Sequence, residues 1–247
     1  MTVVLVHGVP ETSAIWDGLR DRLDRESVAL ALPGFGTPRP DGFAATKDAY
    51  ADWLADQLRA IGGPIDLVGH DWGALLTVRL ATAYDLPLRS WVADVVNPFR
   101  DDYTWHAKAQ RWQTPGAGEE YVAEWLALPA EHTDSIAGVL RGHGNPPAAA
   151  EAMSHELGTT TMQCILDLYR SGLPNLAAHW PLAGPTAAPG MLVVPAADPL
   201  NNEGRLRQVA PRLGADVAVL PGLRHAWMAQ DPAAANAALS SFWARVT

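Results

Sequence analysis

A chain of 247 residues, 48% of them hydrophobic, is long enough to bury one large core, and α/β architectures of this size often remain a single domain. A formal net charge of -9 repels phosphate backbones and anionic lipid, which argues against nucleic acid and membrane surfaces as partners and leaves a small, mostly neutral substrate. The single cysteine excludes an internal disulfide framework; with no leader-like or membrane-length apolar run, the expectation is a cytoplasmic monomer or homodimer.

Residues 2–6, Thr-Val-Val-Leu-Val, end at His7-Gly8 and predict a buried first strand. Apolar spacing predicts a helix over 15–23, a second buried strand follows at 27–31, and Pro33-Gly34-Phe35-Gly36 marks a turn. Thr46 is the expected cap of a helix reaching residue 61, with Tyr50, Trp53, Leu54, Leu58 and Ile61 forming its apolar stripe. Residues 65–69 read as a third strand that runs into a helix over 73–81. Further strands are expected at 91–96, 191–196 and 216–220, with helices near 203–213 and 233–245. Alternating strands and helices predict an α/β fold, a mostly parallel sheet with helices on both faces.

From Asn97 to about Ala178 no buried strand is visible, while tryptophan, tyrosine and histidine gather in helix-like stretches such as 119–128 and 159–170. The pattern predicts an inserted helical cap after the fourth strand. Residues 1–97 and 179–247 would form the core and residues 98–178 the cap, with an internal hinge at 142–147 and a Pro/Gly-rich return at 181–190.

The junction of the third strand and its helix reads Gly69-His70-Asp71-Trp72-Gly73, a glycine two residues on either side of a central aspartate. A sharp strand-to-helix turn of this form lifts its central side chain above the sheet. An aspartate helix cap can produce the same string, but the flanking strand and helix favour the elbow. A carboxylate there is ionised at neutral pH and needs no base to attack carbon. The resulting ester needs water and a general base, and His225 follows the last strand where such a base is expected. Asp198 follows the penultimate strand, giving the chain order nucleophile, acid, histidine. The amides of Val9 and Trp72 are the expected oxyanion donors.

Together these residues resemble the aspartate-nucleophile branch of the α/β-hydrolase superfamily, the epoxide hydrolases and haloalkane dehalogenases. The resemblance spans nearly the whole chain and rests on His7-Gly8-Val9-Pro10, the Gly-His-Asp-Trp-Gly-Ala run at 69–74, Asp198 and His225. It implies the α/β-hydrolase fold with six strands, two fewer than the family usually carries. In epoxide hydrolases two cap tyrosines hold the epoxide oxygen, and Leu168-Tyr169-Arg170 resembles the segment of one, making Tyr169 the implied acid. The other segment resembles 105–116, where Gln113-Thr-Pro-Gly116 matches without a tyrosine. Lys108 stands near its place, with Trp105, His106 and Trp112 a helical turn away as candidate substrate-binding residues. In the dehalogenases the tryptophan after the nucleophile holds the halide, a role open to Trp72, while Val9 replaces an asparagine common there.

The expected reaction is epoxide hydrolysis to a diol through an ester of Asp71. The alternative enzyme reading is C–halogen hydrolysis; outside enzymes it is a ligand-binding receptor that kept the fold without turnover. No cofactor or metal is expected, because the seven other histidines show no paired ligand spacing. His7 and His70 read as packing and hydrogen-bonding residues around the site, and Cys164 as a buried apolar one.

Overall fold

β1 (Thr2–Val6) pairs in parallel with β2 (Ser27–Leu30) on one side and β3 (Ile65–Gly69) on the other. β4 (Leu88–Ala93), β5 (Gly190–Pro195) and β6 (Ala215–Leu220) complete a six-stranded parallel sheet of order β2-β1-β3-β4-β5-β6. The computed structural model describes residues 1–182 and 184–246. Ala183, inside the expected return at 181–190, and Thr247 lie outside the described residues.

Both faces of β1, β3 and β5 are buried, which is why these strands read as continuous apolar runs. The step from β1 to β2 runs opposite to the later steps. Right-handed crossovers then place helix Asp17–Arg20 on one face, where it packs with Pro232–Trp243, and helices Lys47–Ile61 and Trp72–Ala83 together on the other. That reversal makes a switch point between β1 and β3, and the crevice beyond their carboxyl ends is where such sheets bind ligands.

The fourth strand starts three residues earlier than its apolar run. Arg89 and Ser90 conceal it, because both serve Asp66, a fully buried carboxylate in β3. Arg89 donates from Nε at 2.9 Å and Nη2 at 2.8 Å, Arg25 adds Nη1 at 2.7 Å, and the Ser90 hydroxyl donates as well. A buried charge requires such partners. β4 ends at Ala93, so Asp94 lies outside the ladder, beside the crevice.

Between β4 and β5 the described chain contains five α-helices and no strand: Ala107–Gln113, Ala117–Ala127, Ile136–Gly142, Pro147–Glu156 and Thr159–Ser171. The first of these begins after His106, so Trp105 and His106 precede the helix that carries Lys108 and Trp112, a correction to their expected common face. Among the described residues no helix is long and apolar enough to cross a membrane.

Candidate active site

Parallel register sets Val6 opposite Gly69, so the loop after β1 and the turn after β3 leave the sheet at the same level. Asp71 occupies that turn at φ 49° and ψ -117°, a backbone region that costs a non-glycine residue roughly 1–3 kcal/mol. The flanking glycines are steric necessities: a Cβ on Gly69 would meet the Gly73 carbonyl, and one on Gly73 would meet the carbonyl of Val6. Helix Trp72–Ala83 starts immediately, and its early amides and positive dipole end face the carboxylate's surroundings.

Val9 N–H donates to Asp71 Oδ1 at 3.0 Å, while Oδ2 faces His225 Nε2 at 3.8 Å. His225 Nδ1 meets Asp198 Oδ2 at 2.8 Å. The Trp72 amide, the first of the helix, makes no hydrogen bond among the described residues. Burial and the neighbouring His70 would pull His225 down, but the Asp198 hydrogen bond and the charges of Asp198 and Asp71 outweigh them and hold it above the ordinary histidine value. Burial pushes the Asp71 carboxyl up, partly offset by His225 and His70.

Three residues overlooked in the sequence complete this arrangement. Glu11 accepts from Gly8 N–H at 3.0 Å and from His70 Nε2 at 3.2 Å. Asp94 pairs with His70 Nδ1 at 2.5 Å, accepts the Asp71 amide at 3.0 Å and receives the Trp227 indole N–H at 2.7 Å. One buried network therefore fixes the donor loop, the elbow and the segment just after His225. Although burial opposes charge on His70, Asp94 and Glu11 hold its pKa well above the histidine norm, so it bridges them as an imidazolium. His7 stays neutral at about 4 because burial dominates; its ring contacts Gly8 O at 2.8 Å and accepts Leu32 N–H at 3.0 Å.

The third overlooked residue, His143, lies 4.7 Å from His225, ring centre to ring centre, and its Nδ1 is buried without a partner among the described residues. Glu11, His143 and His225 each place a donor atom within 4.8 Å of the others, a three-group cluster that linear spacing between histidines does not reveal. Glu11 could have been found as an acid directly after the His7–Pro10 loop, and Asp94 as an acid at a strand's carboxyl end. His143 has no local signal.

Removing Glu11 should cost about 1–3 kcal/mol of stability, since Glu11 and His70 are 1% and 0% exposed and the variant leaves the buried Gly8 N–H without its acceptor and His70 with Asp94 in place of two carboxylates. Burial alone would raise the Glu11 pKa, but His70 draws it from 4.5 to about 2. Its contribution is therefore complete above 4.5 and is lost as pH falls toward 2. Urea unfolding of Glu11→Ala should show this loss at neutral pH and a shallower stability decline over the acid window; equal slopes there would contradict the assignment.

Two chambers meet at Asp71, sharing His106, Tyr169, Leu200 and His225 as walls. One, of about 200 Å³, includes Trp72, Tyr103 and Trp105; the other, of about 320 Å³, includes Val9, Lys108, Trp112, Trp125 and His143. Trp72 and Trp105 stack with centres 5.7 Å apart, and Tyr169 packs edge-on against Trp72. Burial, then the charge of Asp71, hold the Tyr169 hydroxyl far above its usual pKa, so it is a proton donor at neutral pH. His106 caps its helix by accepting Ala109 N–H on Nδ1 at 3.2 Å. Burial and then the Lys108 charge lower it to about 4. Neutral His106 must therefore carry its proton on Nε2. Thus Val9, Asp71, Trp72, Trp105, His106, Trp112, Tyr169 and His225 each line one or both of two chambers that share Asp71, and Asp198 joins them through His225. Cys164 is buried away from it, beside Gly34.

The sequence matches the model of the α/β hydrolase family over residues 3–238. Among solved structures, the chain is similar to an epoxide hydrolase from Bacillus megaterium with an inhibitor bound (TM-score 0.81, 18% identity, covering 99% of this chain and 93% of that one). A putative epoxide hydrolase from Pseudomonas aeruginosa gives a TM-score of 0.79 at 20% identity, covering 98% of this chain and 88% of that one. A haloalkane dehalogenase from Bradyrhizobium elkani gives 0.72 at 23% identity, covering 99% and 90%. No curated protein matches by sequence. At these identities the solved structures speak for the fold, and the family match over residues 3–238 makes this chain a member of the α/β hydrolase family, with the hydrolase fold its sheet displays.

Proposed function

We propose that this hydrolase opens an epoxide to a diol through a covalent ester on Asp71, with the helices of residues 98–178 acting as a cap over the site. The supporting observation is a carboxylate with a paired base, His225–Asp198, and two proton donors, Tyr169 and His106, that line the same cavity. The likeness to structures titled epoxide hydrolases agrees with it. Asp71 Oδ2 attacks a ring carbon from the back as the C–O bond breaks, and Tyr169 protonates the departing oxygen while His106 Nε2–H stabilises it. His225 then takes a proton from water, whose oxygen adds to Cγ of Asp71. The oxyanion forms on Oδ1, against the amides of Val9 and Trp72. Collapse releases the diol as His225 returns its proton, and the proton left on the Asp71 carboxyl restores Tyr169.

The stacked indoles of Trp72 and Trp105 favour halide binding as a second reading, since such N–H groups suit a halide ion. The Trp105 Nε1 is, however, enclosed without a partner rather than open to the chamber.

One turnover with enzyme in excess, run in heavy-oxygen water, should leave the isotope in the Asp71 carboxylate and give unlabelled diol. Label in the diol and none in the peptide containing Asp71 would exclude the ester.

A further inference from the structure

The chain has only two lysines. Lys47 is paired with Asp48 at 2.6 Å. Lys108 has no ion pair or hydrogen bond among the described residues; its Nζ lies 5.2 Å from the ring centre of Trp125. It is half-buried in the wall of the larger chamber, whose other walls there are Trp112, Trp125 and Val139. Burial draws its ammonium below the ordinary lysine value, only partly countered by Asp134. An ammonium stripped of part of its water and facing aromatic walls gains from an anion more than a solvated surface lysine would. Arg205, the cation of the other chamber, is exposed and already hydrated.

We infer that Lys108 binds an anionic group, a carboxylate, on the arm of the substrate that fills the larger chamber, so that the substrate is an epoxide bearing a carboxylate remote from the ring. The inference rests on the epoxide reading and replaces the neutral substrate that net charge alone suggests. A dedicated cation is needed because a chain of net charge -9 does not otherwise attract an anion. The carboxylate sits at the Trp125 end while the reacting carbon sits at Asp71, both in the wall of one cavity.

The test compares a terminal-epoxide hexanoate with its primary amide as substrates, and hexanoate with hexanamide as ligands by calorimetry. Wild type should favour the carboxylate by about 10- to 100-fold in both, through KM rather than kcat. Lys108→Met should bring the two members of each pair together, Lys108→Glu should reverse the preference, and Lys108→Arg should keep most of it. A preference that survives Lys108→Met, or is lost instead in Arg205→Gln, overturns the inference, as does equal binding of hexanoate and hexanamide to wild type. Neutral epoxides turned over without carboxylate preference would overturn it and leave the epoxide reading intact. Hexanoate preferred through Lys108 with neither epoxide opened would overturn the reaction and leave the anion site standing.

Discussion

His225→Gln is expected to stop the cycle halfway, with an ester accumulating on Asp71 while release of diol slows by roughly 10²–10⁴-fold. Attack on the ring uses a carboxylate already anchored by Val9 N–H, so formation of the ester does not need the imidazole. Hydrolysis does, because water is a poor nucleophile until its proton is taken. Glutamine keeps much of the volume and a hydrogen bond toward Asp198 but cannot accept a proton from water. The pH profile supplies the sign. His225 must be neutral to act, and in the resting enzyme Asp198 and Asp71 hold its pKa above 6.5 against the pull of burial; once Asp71 is esterified only Asp198 still raises it, so wild-type kcat should fall with acid from a midpoint below that of the resting enzyme. Asp198→Asn removes one raising influence and should move that midpoint downward while lowering kcat. Intact-mass measurement during turnover reads the ester directly; His225→Gln protein with slowed turnover and no adduct would refute the role of the base.

The elbow was readable because it is local: its glycines are required by contacts within the turn and with the neighbouring strand, so residue type and spacing report the geometry. The positions of Asp198 and His225 were readable for a related reason, since loops after successive parallel strands gather at one end of the sheet. What escaped depends on contacts distant in the chain. Arg89 and Ser90 obscured the start of β4 because their partner, Asp66, lies on the adjacent strand. Glu11 and Asp94 carry no motif of their own; His70 joins them across three segments. Among the residues between β4 and β5, Tyr169 followed from resemblance, whereas the state of His106 follows from helix capping, which only the position of Ala109 N–H discloses. His143 meets His225 by folding alone.

The pair Tyr169 and His106 carries the remaining large effect. Tyr169→Phe removes the hydroxyl but keeps the ring that packs against Trp72 and Trp112, so its fold should be preserved. Loss of one preorganised donor to a developing oxyanion costs about 10²–10³-fold, and here the loss should fall on formation of the ester, leaving hydrolysis of a preformed ester near the wild-type rate. His106→Phe should cost less, because a neutral imidazole stabilises the alkoxide without being the group that protonates it. It also loses the cap on Ala109 N–H, so His106→Asn, which keeps a capping oxygen, serves as the variant that separates helix stability from chemistry. If both donors hold one oxygen, the double variant should lose less than the product of the single effects, since the second removal acts on a site already impaired. Rapid-quench measurement of ester formation decides the matter: Tyr169→Phe and His106→Asn that slow only the hydrolytic step would mean that these side chains face the water rather than the epoxide oxygen.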